Sequence, residues 1–158
     1  MSLLRPHPLY TSCGENSYEV SKCIIQARLL SGRYRSDKLL SHFDKSSDHR
    51  CRLCLSETGD IEHLLVNCSA LSEVRTTQFQ AMNSRNEISQ FSVDIILTTW
   101  EKSVNDFVQL LLDCSVIPEV IRATQNGQNV MQEIFKFSRT WCFNIHAKRM
   151  KLLGRWNK

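Results

Sequence analysis

Glycine and proline are scarce in this sequence, five and three residues in 158. Strand-rich sandwiches spend such residues on frequent turns, so the shortage argues against that class and for helices. Long apolar runs are missing as well. Stretches such as Leu110–Leu112 fall far short of the roughly 20 residues a membrane-spanning helix needs. Pro6, His7 and Pro8 interrupt the opening segment, which has no apolar core of the kind a secretory leader carries. No internal repeat and no low-complexity tract is visible. These absences lead us to expect a soluble, intracellular protein, nuclear or cytoplasmic and not secreted, with no membrane partner.

Apolar residues make up 42% of the chain, enough for an ordinary core. The length suits one domain, or one with a small appendage. The net charge is only +4, but it is unevenly spread. Ser21–Arg52 holds eight basic and three acidic residues, a net of +5. Arg139–Lys158 holds six basic residues and no acid, a net of +6. Between them, Leu53–Ser138 holds five basic and eleven acidic residues, a net of −6. Basic ends around an acidic middle fit a polyanionic partner, although such ends also serve simply as solvated faces.

The fold class this suggests is mainly α. An irregular lead-in over 1–15 precedes a helical module over 16–86 that carries Cys51, Cys54, His63 and Cys68. A helical C-terminal region over 87–158 follows, continuous with the module. Asn16 and Glu19 have the spacing of a capping box, and the helix they start puts Val20, Ile24, Ala27 and Leu30 on one face before Gly32. Ser36 is placed to cap a short helix over Asp37–Phe43. Ala70–Met82 carries Leu71, Val74 and Gln78 at helical spacing. Ser89–Trp100 mixes β-branched and polar residues, and periodicity alone leaves helix and strand both open there. Lys102–Asp113 has a stripe of Val104, Phe107, Val108 and Leu111. Pro118 suits a first helical turn, Asn126-Gly127 is a break, and Gln128–Leu153 reads as one long amphipathic helix.

The chain has seven cysteines. An odd count in a reducing compartment favours metal ligands over disulfides, and Cys23 and Cys142 lie on or beside apolar helix faces as core residues. Cys51, Cys54, His63 and Cys68 form the pattern C-x2-C-x8-H-x4-C. Structural zinc takes four nitrogen or sulfur ligands at tetrahedral corners. Two cysteines separated by two residues bend round one ion, and His63 and Cys68 close the set from either end of a short helical segment capped by Asp60. Gly59 gives the preceding loop a permissive turn. Zn2+ is therefore the expected cofactor, with arginines 50 and 52 offsetting the negative charge of three thiolates. The competing readings are buried apolar cysteines beside a hydrogen-bonded histidine, or a redox Cys-x-x-Cys, which the absence of a βαβ pattern disfavours.

The run Gln26–Arg35, the Cys51-Arg-Leu-Cys54 pair and the segment Ile61–Leu71 with Arg75 resemble the region after the polymerase in LINE-type (non-LTR) retrotransposon reverse transcriptases. Ile145–Leu153 is similar to the helix on which those polyproteins end. Ser69 stands where that family often has proline. The resemblance implies a Cys-Cys-His-Cys zinc module that helps a polymerase hold RNA or DNA, with a reverse transcriptase core as a second partner. The paired aspartates of a polymerase palm and the acidic-plus-histidine set of an endonuclease are missing. The expectation is thus an accessory module, not an enzyme, with no catalytic residue and no small-molecule substrate. Phosphate contacts are expected from Arg28, Arg33, Arg35, Arg50 and Arg52, joined by Lys148, Arg149 and Lys151. Tyr34 either stacks on an unpaired base or packs on a neighbouring helix. The alternative function is a zinc-braced protein-interaction module whose last helix docks on a partner, unless that face closes the chain's own core.

Overall fold

The computed structural model describes residues 6–11, 13–45, 48–84 and 86–154. The fold is mainly α, and the described residues contain no strand. The helices are α1 (Pro8–Thr11), α2 (Ser17–Leu30), α3 (Asp37–Phe43), α4 (Ser72–Ser84), α5 (Gln90–Lys102), α6 (Val104–Leu112), α7 (Pro118–Gln125) and α8 (Val130–Leu152). Among the described residues, no helix is long and apolar enough to cross a membrane.

Local chemistry explains most of the helix ends. The side chains of Asn16, Ser36, Ser89 and Ser103 accept the backbone N–H groups of Glu19, Leu39, Ser92 and Asp106, which would otherwise be orphaned at each N-terminus. Pro118 occupies the first turn of α7, where a missing N–H costs nothing. Gly32 and Gly127 follow α2 and α7 at φ +70° and +78°, the left-handed conformation that closes a helix. Ser89–Trp100, open between helix and strand on pattern, is helical. The segment read as an irregular lead-in contains α1, whose Leu9 is buried; residues 1–5 and 12 lie outside the described set.

α8 is the central element, packed against α2, α4, α5, α6 and α7. Its buried face, which includes Val130, Ile134, Phe135, Phe137, Trp141, Cys142 and Ile145, closes the chain's own core and is not left open for a partner. Trp141 is fully buried, with its ring 5.1 Å from Phe79 and 5.3 Å from Phe107. Trp100 completes the aromatic group, 4.8 Å from Phe107 in an edge-on arrangement. The Trp141 indole N–H donates to the Leu65 carbonyl at 3.1 Å, tying this core to the loop that carries His63 and Cys68.

Three expectations need correction. The buried side of α2 is Lys22, Cys23, Ile25, Gln26 and Leu29, while Val20, Ile24 and Leu30 are exposed. The cause lies at the C-terminus of α6, whose last carbonyls have no helical partner. Gln26 Nε2 donates to the Leu111 carbonyl at 2.8 Å and Ser138 Oγ to that of Leu110, so a polar residue takes the inward position. Cys23 is not a free core thiol but is disulfide-bonded to Cys13. Gly59 is required by close approach: a Cβ there would stand 2.8 Å from that of Asp37 and 3.0 Å from Cys51 Cα.

Candidate metal centre

The cysteine knuckle is built by backbone hydrogen bonds. Arg50 and Thr58 form an isolated antiparallel bridge, and Gly59 N–H donates to the His49 carbonyl at 2.9 Å. Inside this clasp, Cys51 N–H donates to Glu57 O at 2.7 Å and Leu55 N–H to Cys51 O at 2.8 Å. Leu55 turns the chain at φ +61°, an uncommon conformation for a non-glycine residue. The second half begins at Asp60, whose Oδ1 accepts the His63 N–H at 2.8 Å. His63–Asn67 then winds more widely than an α-helix, and Cys68 N–H closes on the His63 carbonyl at 2.7 Å.

These two halves bring Cys51, Cys54, His63 and Cys68 together. Their ligand atoms all lie within 4.8 Å of one another, as a group that could hold a metal ion. Cys51 Sγ is 3.8 Å from Cys68 Sγ, and Cys54 Sγ is 3.3 Å from His63 Nε2. Sulfurs at tetrahedral corners, each about 2.3 Å from a zinc ion, stand about 3.8 Å apart, whereas a disulfide would need about 2.05 Å. These two separations match what one tetrahedral ion asks of its ligands, and the four residues together form a group that could hold it. Cys51, His63 and Cys68 are buried and Cys54 is half-buried, so one edge of the site faces outward.

Surrounding groups orient and charge this set. Glu57 Oε2 is 3.0 Å from His63 Nδ1, which leaves Nε2 pointing at the sulfurs; a carboxylate behind a histidine is the usual support of a metal-binding imidazole. Ser56 Oγ donates to Cys54 Sγ at 3.2 Å. Burial pushes the Cys54 thiol up, but hydrogen bonds from Ser56, Cys51 and His63 outweigh it and bring the pKa to about 6. Cys68 goes the other way, to about 12, through burial and the neighbouring Cys51 sulfur. Buried Arg75 donates to the Cys68 carbonyl, placing a cation against the sulfur cluster. The arginine that meets the cluster's charge is thus Arg75, while Arg50 pairs with Asp48 at 2.7 Å and Arg52 with Asp37 at 2.6 Å.

Asp37 fastens the knuckle to the helical body. Its buried carboxylate accepts the Arg52 N–H at 3.0 Å and Arg149 Nη2 at 3.3 Å, the latter from α8. Neither Glu57 nor Asp37 stood out in the sequence. Glu57 sits in a polar loop at no ligand spacing, and Asp37 looks like an ordinary acid in the first turn of α3.

The basic residues divide into two groups. Arg28, Arg33 and Arg35 are exposed and line one cavity between α2 and α8. Arg50 and Arg52 line a different groove, shared with Asp37, Asp44 and Asp48. Of the basic residues expected on α8, Lys151 is exposed and Lys148 lies 3.7 Å from Glu73, but Arg149 is buried against Asp37. Arg155 and Lys158, part of the C-terminal basic run, lie outside the described residues. Tyr34 is buried rather than open to a base, with its hydroxyl 2.9 Å from His146 Nδ1 and its ring 5.6 Å from the Arg149 guanidinium. Burial raises its pKa, against the pull of Arg149.

No protein-family model matches the chain, and neither a curated protein nor a solved structure matches it. What is established is a helical domain with a Cys-Cys-His-Cys cluster suited to a metal ion.

Proposed function

We propose that the chain is a zinc-braced helical module that binds RNA or DNA, akin to the accessory region after the polymerase of LINE-type reverse transcriptases. The observation that carries the metal part is the convergence of three sulfurs and one imidazole nitrogen within 4.8 Å. Thiolates and imidazole at tetrahedral spacing suit Zn2+ over hard cations, which prefer oxygen. Cys51, Cys54, His63 and Cys68 would hold it. Four protein ligands fill the tetrahedron, so the role assigned to the ion is structural: it fixes the knuckle that Asp37 joins to α8.

The nucleic-acid part is supported by the exposed arginines at positions 28, 33 and 35, which have neither a hydrogen bond nor an ion pair from their side chains among the described residues. Free guanidiniums on one surface suit phosphate. A second reading, a protein-interaction module, has its own observation in the exposed Tyr18, Val20, Ile24 and Leu30 along α2.

The deciding experiment pairs metal analysis with oligonucleotide binding. Purified protein should carry about one zinc, and Cys54→Ser should carry far less. Binding to a short single strand should weaken steeply between about 50 and 200 mM salt, as phosphate neutralisation requires. Absence of zinc, or affinity indifferent to salt, would remove the corresponding half of the proposal.

A further inference from the structure

The cavity between α2 and α8 has a volume of about 490 Å3, within the range of roughly 300–1,000 Å3 typical of small-ligand pockets. Arg28, Arg33 and Arg35 line it from the end of α2 and the turn after it, together with Tyr34. His146 and Arg149 line it from α8. Four guanidiniums meet here with no carboxylate among the lining residues; Arg149 pairs behind the wall with Asp37 at 3.3 Å, and the other three have no such partner among the described residues.

Arginines near helix C-termini commonly answer the exposed carbonyls of the last turn. Here backbone groups do that work. Arg33 N–H donates to the Arg28 carbonyl at 2.9 Å, and Leu153 N–H to that of Arg149 at 2.9 Å. The side chains of Arg28, Arg33 and Arg35 make no hydrogen bond or ion pair among the described residues. Arg149, only 1% exposed, has an Nε that is buried without a hydrogen-bond partner. Asp37 answers the Nη2 end of Arg149 but not its Nε, and the three guanidiniums beside it are uncommitted, an arrangement an incoming anion completes.

His146 sharpens the chemistry. Burial, then Arg149 and Arg28, hold its imidazole down to about 4, so at neutral pH it adds a polar ring and no charge. Its Nδ1 is taken by the Tyr34 hydroxyl, and burial of Tyr34 leaves no open ring for a base. The lining therefore offers recognition to a phosphate and none to a nucleobase.

We propose that this cavity is a phosphate-monoester site, taking the phosphorylated end of a nucleic-acid strand or a free mononucleotide. A terminal phosphate carries about −1.5 to −2 charges at pH 7, against one for a backbone diester, and so answers the three unpaired guanidiniums of Arg28, Arg33 and Arg35 better. A terminus also reaches a buried group such as Arg149 without threading a continuous backbone past it. The inference rests on the nucleic-acid reading for the strand as source; the site itself rests on the cavity.

The test uses the full, zinc-loaded chain and matched single-stranded ten-mers bearing a 5′-phosphate, a 3′-phosphate or only hydroxyl ends. One phosphorylated form should bind roughly tenfold tighter than the hydroxyl form, the worth of one good charged hydrogen bond. Arg28→Ala combined with Arg35→Ala should erase that difference with unchanged melting temperature and zinc content, while Lys136→Ala on another face should preserve it. AMP and inorganic phosphate should shift the His146 imidazole resonances in the unmodified chain and not in the double variant. Equal binding of all three strands, with His146 unmoved by AMP or phosphate, overturns the site while leaving nucleic-acid binding standing. His146 shifts with AMP but no binding of any strand support the site with a free nucleotide as ligand and overturn the nucleic-acid reading instead.

Discussion

The knuckle over Arg50–Cys68 and the aromatic group around Trp141 are ordered by different physics. Around Trp141, four large rings pack at centroid distances of about 5 Å, with Trp141 and Phe107 fully buried. Such a region is held by apolar burial and dispersion, spread over many contacts. The outer part of the knuckle has little of that: Leu55 is 69% exposed, and residues 55–57 all face solvent. Backbone hydrogen bonds and a ligand set do the holding there. One region resists change because many small terms add, the other because a few directed ones are satisfied together. Asp37 and the bond from Trp141 to Leu65 are where the two meet.

Replacing Trp141 with Ala attacks the first region, and should cost about 4 kcal/mol of stability in denaturant unfolding. Zinc should stay bound below the lowered transition. Parallel loss of metal in native conditions would show that the two regions are one cooperative unit. Asp37→Ala strikes the junction. It leaves buried Arg149 without its counter-charge and frees Arg52, so we expect a loss of about 3 kcal/mol together with faster zinc release to a chelator. An unchanged release rate would mean that the knuckle stands without the helical body. Glu57→Gln probes the second region, because Glu57 is exposed and its carboxylate pairs with His63. Zinc affinity in a competition titration should fall roughly tenfold, with metal-bound stability in urea nearly unchanged.

Features decided by short-range chemistry were legible in the sequence. Asn16, Ser36, Gly32 and Pro118 mark helix ends because each acts on its own backbone within a few residues. The Cys-Cys-His-Cys cluster was legible for the same reason, its members lying within one short segment. The buried side of α2 was not. That helix carries apolar residues on both sides, and the choice was made by carbonyls on α6, about 85 positions further along. Cys13 and Cys23 were unreadable as a pair because a count of cysteines carries no distances. Arg52 and Arg149 read as surface cations, and only folding shows that both turn to Asp37. Tyr34 lies between two exposed arginines in sequence yet faces α8, since burial follows the tertiary partner and not its neighbours.

The widened turn at His63–Asn67 makes the interval between histidine and cysteine a ruler. In an ordinary α-helix, residues five apart point about 140° away from each other. The broader winding, closed by the Cys68 amide on the His63 carbonyl, brings them round to one side. A single inserted or deleted residue between them would swing the sulfur off its corner. The loop from Leu55 to Thr58 is held along its length as well, with Ser56 on Cys54 Sγ and Glu57 on both the Cys51 N–H and His63 Nδ1. Both halves of the cluster thus set its gauge.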